Sequence, residues 1–193
     1  MFFVGCDLAS SADYTACVVV EQVQGETRQH RYDARHIERL PLGTRYPDVI
    51  RYLQDLMGTS TLAKQGTLVV DATGVGTPVL HQLQASGLRP VGVLLHGGDT
   101  VSRAGAVYRV PKRDVIGCVQ VLLQSRRVRF AANLPHVETL LHELLNFKVR
   151  IDPSTAHDSY SAWREQDHDD LVLALALACW YAEHGFKRAR AWP

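Results

Sequence analysis

The sequence predicts an α/β fold in which one mixed, five-stranded sheet carries helices on both faces. Three observations lead there. Two apolar runs, "FFVGCDL" (2–8) and "TACVVVE" (15–21), open the chain on either side of a short polar turn. A third run, "TLVVD" (67–71), passes through "ATGVG" into a segment of helical period and on to a fourth run, "PVGVLL" (90–95). Near its end the chain reads "DHDDLVLALALA" (167–178), apolar on every side after its acids. Short β-branched runs joined by tight turns pair antiparallel, whereas strand–helix–strand sequences cross over and pair parallel.

Taken in order, Ser10, Ser11 and Asp13 supply the turn between the first two strands, and a more polar strand over 29–40 completes a meander. Pro47 opens a helix with Val49, Ile50, Leu53, Leu56 and Met57 on one face, and Gly58 closes it. "GVGTPVLHQLQASG" (74–87) is the crossover helix between the strands at 67–71 and 90–95. Residues 97–110 hold three glycines and no regular period, which reads as a loop or flexible hairpin. Pro111 begins a helix with Val115, Ile116, Val119, Leu122 and Leu123 on its apolar face, and 126–130 is a brief strand. Asn133 caps a further helix carrying Val137, Leu140, Leu141, Leu144 and Leu145. Residues 147–164 read as a hairpin, and Asp167 leads into the final helix. Its alanines favour helix over strand, and its apolar circumference predicts burial. No repeat or linker interrupts the chain, so 1–193 reads as a single domain.

A hydrophobic content of 46% with 21% charged residues is that of a globular protein. The net charge of +1 gives no global attraction to nucleic acid, but the charges are unevenly spread. Arg103, Arg109, Lys112, Arg113, Arg126, Arg127 and Arg129 face a single acid, Asp114, within 103–129. Asp152, Asp158, Glu165, Asp167, Asp169 and Asp170 then dominate 152–170. A basic stretch beside an acidic one fits a phosphate-binding face next to a cation site, and also fits two solvated surfaces. Cys6, Cys17, Cys118 and Cys179 lack CxxC spacing and read as buried hydrophobes of a reducing compartment rather than zinc ligands. The start has no signal-peptide pattern, and the longest apolar run, 171–182, is short of the roughly 20 residues that span a bilayer. The expectation is a soluble, intracellular chain.

Three acids stand in comparable positions. Asp7 ends the first strand, Asp71 ends "TLVVD", and Asp169 and Asp170 begin the last helix. Taken singly, each has an ordinary explanation. An acid at a strand end serves a turn, the "ATGVG" after Asp71 is a tight turn, and acids at a helix start meet the macrodipole favourably. Those explanations leave unaddressed why one acid adjoins apolar sequence in each of three elements. In open α/β sheets ligands sit off the strand ends. Carboxylates meeting there repel unless a cation sits among them, and hard ions such as Mg²⁺ prefer oxygen ligands.

In order along the chain, "VGCDLASSADYTACVVV", "VVDATGVGTPVL", "KRDVIGCVQVLLQSRRVRF" and "HDDLVLALALA" resemble the nuclease domain of phage terminase large subunits. The resemblance covers nearly the whole sequence. It implies a ribonuclease H-like fold, akin to Holliday-junction resolvases and retroviral integrases. It also implies two Mg²⁺ or Mn²⁺ ions bound by Asp7, Asp71 and Asp170, with Asp169 the alternate ligand. Related resolvases space their helix acids i, i+3, which adds Asp167 as a third candidate; His168 would orient a carboxylate or a water. The implied activity is cleavage of DNA, in keeping with the family the double-stranded form, in the cytoplasm of a host cell. Partners would be a packaging ATPase domain or other packaging proteins. No GxxxxGK-S/T phosphate loop occurs in the 193 residues, so the chain reads as an excised nuclease domain or a free-standing relative.

On the substrate side, Lys112 and Arg113 at a helix start, with Arg103, Arg109, Arg126 and Arg127, are the candidate contacts to DNA phosphates. Two rivals remain at this level. One is a junction resolvase or transposase-like nuclease of the same fold, and the other is a non-catalytic relative that binds DNA or a partner protein.

Overall fold

The structure, a computed structural model, describes residues 1–8, 13–25, 29–73, 76–151, 158–162 and 168–185. β1 (Phe2–Asp7), β2 (Ala16–Gln24) and β3 (His30–Arg39) form the antiparallel meander. After α1 (Tyr46–Gly58) and a single turn, α2 (Leu62–Gln65), β4 (Gly66–Asp71) returns parallel to β1. Helix α3 (Gly76–Ala85) then crosses to β5 (Val91–His96), parallel to β4. A hairpin of β6 (Ser102–Ala104) and β7 (Val107–Pro111) follows, then α4 (Lys112–Gln124), β8 (Val128–Arg129) and α5 (Val137–Asn146). β9 (Phe147–Ile151) and β10 (Asp158–Ala162) pair as a separate hairpin, and α6 (Asp170–Trp180) runs into a π-turn, Tyr181–Gly185.

The main sheet has eight strands in the order β6-β7-β5-β4-β1-β2-β3-β8. The five strands expected from sequence are its contiguous centre. β7 and β6 lengthen one edge out of the glycine-bearing segment, and β8 adds two residues at the other. Alternation divides the core into two layers. Phe3 of β1 and Val69 of β4 face α4, α5 and α6, while Val4, Cys6, Leu68 and Val70 face α1 and α3. Gly5 shares the face of Phe3, and a Cβ there would collide with the carbonyl oxygen of Ala174. The missing side chain lets α6 lie directly on β1.

One helix start differs from expectation. α5 begins at Val137 rather than after a cap at Asn133, because Pro135 pushes its predecessor out of the helical region and His136 is left-handed, φ 56°. α6 begins at Asp170, with Asp169 just before it at φ −122° and ψ 14°, so the two acids stand at the helix start as the sequence leads one to expect. Every residue of α6 is buried. No helix among the described residues is long and apolar enough to cross a membrane.

Candidate metal centre

Register places the acids. β1 and β4 pair through Cys6 and Val70, so Asp7 and Asp71 come next, side by side at the ends of parallel strands. Across β2 and β3, Asp7 pairs with Ala16 and Ala16 with Arg39. Residues paired across a sheet share a face, and this row lies on the α6 side. Helix α6 begins over the same end with Asp170, which is 4% exposed, and Asp71 is 9% exposed.

The electrostatics show that the carboxyls sense one another. Burial raises the Asp7 carboxyl well above its ordinary range, and the charges of Asp71, Asp170 and Asp169 raise it further against the opposing pull of Lys112. Asp71 is raised by burial, partly offset by the Thr73 backbone N–H, which donates to its Oδ1 at 2.7 Å, and by Lys112. Asp170 is raised by burial and lowered by Arg39, whose Nη2 donates to its Oδ2 at 2.9 Å. Lys112 Nζ stands 3.7 Å from Asp169 Oδ2.

The start of α6 is held by a residue on another helix. Glu143 of α5 accepts the backbone N–H of Leu171 at 3.0 Å and of Val172 at 3.2 Å on Oε2, while its Oε1 receives Arg39 at 2.9 Å. Burial pushes Glu143 up to about 7 despite these favourable contacts. On the open side, Asp13, His168 and Asp170 bring one ligand atom each to within 4.8 Å of one another. Tyr14 meets the His168 ring edge-on at 4.9 Å and carries the Arg39 guanidinium 4.3 Å above its own ring.

The structure therefore brings Asp7, Asp71, Asp169 and Asp170 to one end of the sheet, with Lys112 beside them. Asp167 lies outside the described residues. The other basic residues are dispersed. Arg113 pairs with Asp99 at 2.5 Å and Asp114 at 3.7 Å. Arg103 lies over the Tyr108 ring at 5.0 Å and donates to the Gly105 carbonyl. Arg109 and Arg126 are exposed, the latter at φ 55°. Arg127 is turned inward, bound to Glu183 and to the His30 carbonyl.

Sequence reasoning missed Arg39 and Glu143 and read Asp13 only as a turn residue. Glu143 left a trace, a charge three residues after Leu140 on an otherwise apolar helix face. Arg39 left none, since its role depends on the register across three strands.

A three-strand meander joined by parallel crossovers, with a buried helix laid over the first strand, is the ribonuclease H-like fold. Solved structures of terminase nuclease domains share it. The large terminase nuclease of the thermophilic phage G20c superposes with a TM-score of 0.69 at 22% identity, covering 95% of this chain and 82% of that one. The nuclease domain of the large terminase of bacteriophage SPP1, solved with bound Mn, gives 0.59 at 10% identity, covering 94% and 85% of the two chains. The terminase nuclease domain of human cytomegalovirus, soaked in Mn, gives 0.56 at 13% identity, over 94% of this chain and 83% of its own length. No protein-family model matches the sequence, and no curated protein does.

Proposed function

We propose that this chain is a divalent-metal-dependent endonuclease that cleaves phosphodiester bonds of double-stranded DNA with two Mg²⁺ or Mn²⁺ ions, as in a DNA-packaging terminase. The observation that carries this reading is the meeting of Asp7, Asp71 and Asp170 on one face at one end of the sheet. The donor set fits such ions. Its carboxylate oxygens are hard ligands, and the Asp7 carboxyl is raised by burial first and then by the charges of Asp71, Asp170 and Asp169, which Lys112 opposes.

Asp7, Asp71 and Asp170 would hold the ions, with Asp169 and Asp167 as alternates and with Asp13 and His168 extending the set on the open side. Bound there, the ions would activate a water and stabilise the leaving oxygen of the phosphodiester. The chain's own groups do the holding. Thr73 fixes one oxygen of Asp71, Arg39 fixes one oxygen of Asp170, and Glu143 pins the helix end that carries Asp170. Lys112, at the start of α4 and 3.7 Å from Asp169, would meet a DNA phosphate once the acids are occupied. Arg103, Arg109, Arg113 and Arg126 are the remaining candidates for backbone contacts, Arg127 being engaged by Glu183, and a packaging ATPase domain is the proposed partner.

Incubation with supercoiled plasmid in Mg²⁺ or Mn²⁺ tests the activity. Nicked and linear products are expected, and Asp71→Ala should abolish them. Absence of cutting in both metals, or cutting unaffected by that substitution, refutes the reading.

A further inference from the structure

Arg39, the last residue of β3, is a cation seated directly on a carboxylate assigned to metal. Its side chain is 15% exposed, and a single nitrogen, Nη2, donates to Asp170 Oδ2 and to Glu143 Oε1, each at 2.9 Å. The oxygen it occupies is also the Asp170 atom that faces His168 Nδ1, at 3.9 Å. Arg39 thus holds the Asp170 oxygen that stands 3.9 Å from the His168 ring nitrogen, beside the cluster of Asp13, His168 and Asp170 ligand atoms. Its Nε is buried and has no hydrogen-bond partner among the described residues. The guanidinium is therefore not saturated by its present contacts. Tyr14 beneath it and Glu143 beside it offer a resting place away from Asp170.

Glu143 is anchored independently of Arg39, because its other oxygen accepts two backbone N–H groups of α6. It can therefore keep the guanidinium when Asp170 lets go. Two cations cannot both claim Asp170 Oδ2 closely in a site this buried without strong repulsion.

We propose that Arg39 is a built-in competitor of the divalent metal at Asp170, and that Glu143 sets the strength of the competition by drawing Arg39 away. The proposal rests on the metal-site reading above. In the metal-free protein Arg39 neutralises Asp170 and positions it. When metal arrives, the guanidinium shifts its bonding toward Glu143. Linkage makes the relation reciprocal, since whatever strengthens the Arg39–Asp170 contact weakens metal binding by the same factor.

The pair predicts effects of opposite sign, which a merely structural role would not produce. Calorimetric titration of Mn²⁺ into the whole chain, without DNA, is the measurement. Arg39→Gln should bind Mn²⁺ on the order of tenfold more tightly, the scale of removing one charge within about 4–6 Å of a carboxylate. Arg39→Lys keeps the charge and should stay near wild type. Glu143→Gln leaves the guanidinium wholly to Asp170 and should bind more weakly. Equal or weaker binding by Arg39→Gln overturns the proposal while leaving the metal site standing. Should that variant fail to fold by circular dichroism, Glu143→Gln decides alone, and unchanged or tighter binding overturns the proposal. If neither wild type nor any variant binds Mn²⁺, the competition and the metal-site reading fall together.

Discussion

Asp7 and Asp71 end adjacent parallel strands one step beyond the Cys6–Val70 pair, and their side chains point into the layer that holds α6. A half-buried and a buried carboxyl side by side are a cost the fold carries in the absence of metal. Asp7→Asn removes one of them. In EDTA the melting temperature of this variant should rise by about 2–4 °C, the shift that roughly 1 kcal/mol of relieved repulsion produces in a chain of this size. The gain that Mn²⁺ gives the wild type should disappear. Differential scanning calorimetry with and without Mn²⁺ reads both, and a lower melting temperature in EDTA would mean the two acids do not oppose one another.

Gly5 controls how the third acid reaches the first two. A methyl at this position meets the Ala174 carbonyl oxygen and the Ala178 backbone nitrogen, neither of which can rotate aside. Gly5→Ala must lift α6 off β1 and carry Asp170 away with it. A loss of about 1–3 kcal/mol in urea unfolding is expected, the usual range for overpacking, together with weaker Mn²⁺ binding. A variant as stable as wild type would show that the helix does not lie this close.

Glu143 supplies a pH dependence whose sign follows from its surroundings. Its carboxyl, ordinarily near 4.5, is pushed up to about 7 by burial. The folded state then keeps a proton that the unfolded chain releases at lower pH. Its contribution to stability is fully present below about 4.5 and is lost as pH rises through about 7. Relative to Glu143→Gln, wild type should lose about 1–2 kcal/mol over that interval once solvent screening is allowed for. Urea unfolding of both proteins in EDTA at pH 4.5 and 7.5 measures the difference. A gap that stays constant with pH would show that Glu143 is ionised throughout.

The acids are conspicuous in the sequence, and what holds them is not. Asp7, Asp71 and Asp170 adjoin apolar runs, where a charge stands out, and alternation puts strand-end residues on a definite face. The central five strands are legible for the same reason, because their hydrophobic period is local. The edges of the sheet are less so. Three glycines and no period leave 97–110 open between loop and hairpin, and the three residues of β6 form a strand only by pairing with β7. The brief strand over 126–130 is legible as such, but its place beside β3 depends on a partner far away in sequence. The start of α6 is legible, but what holds it is not. Asp169 and Asp170 mark the helix N-terminus, but its free N–H groups at Leu171 and Val172 are received by Glu143, 28 positions before Leu171. A cap supplied from another helix leaves no mark in the local sequence. Arg127 shows the same limit. It belongs to a basic run, and nothing nearby announces that Glu183 will claim it.

That contrast separates the basic residues into two experiments. Arg109 is exposed on β7, whereas Arg127 donates to Glu183 and to the His30 carbonyl and lies 5.9 Å over the Tyr32 ring. An exposed arginine that touches a phosphate releases counterions on binding, so its loss lowers the salt dependence of affinity. An arginine engaged by a half-buried carboxylate contributes to the fold instead. Arg109→Gln should reduce the slope of log affinity against log salt by about 1 and leave stability unchanged. Arg127→Gln should keep the slope and cost about 1–3 kcal/mol, because Glu183 loses a charged hydrogen-bond partner in a partly buried site. Fluorescence anisotropy with duplex DNA in EDTA across a KCl series gives the slopes, and urea unfolding gives the stabilities. If Arg127→Gln flattens the salt dependence without loss of stability, the guanidinium leaves Glu183 to meet DNA, and the inward assignment is wrong.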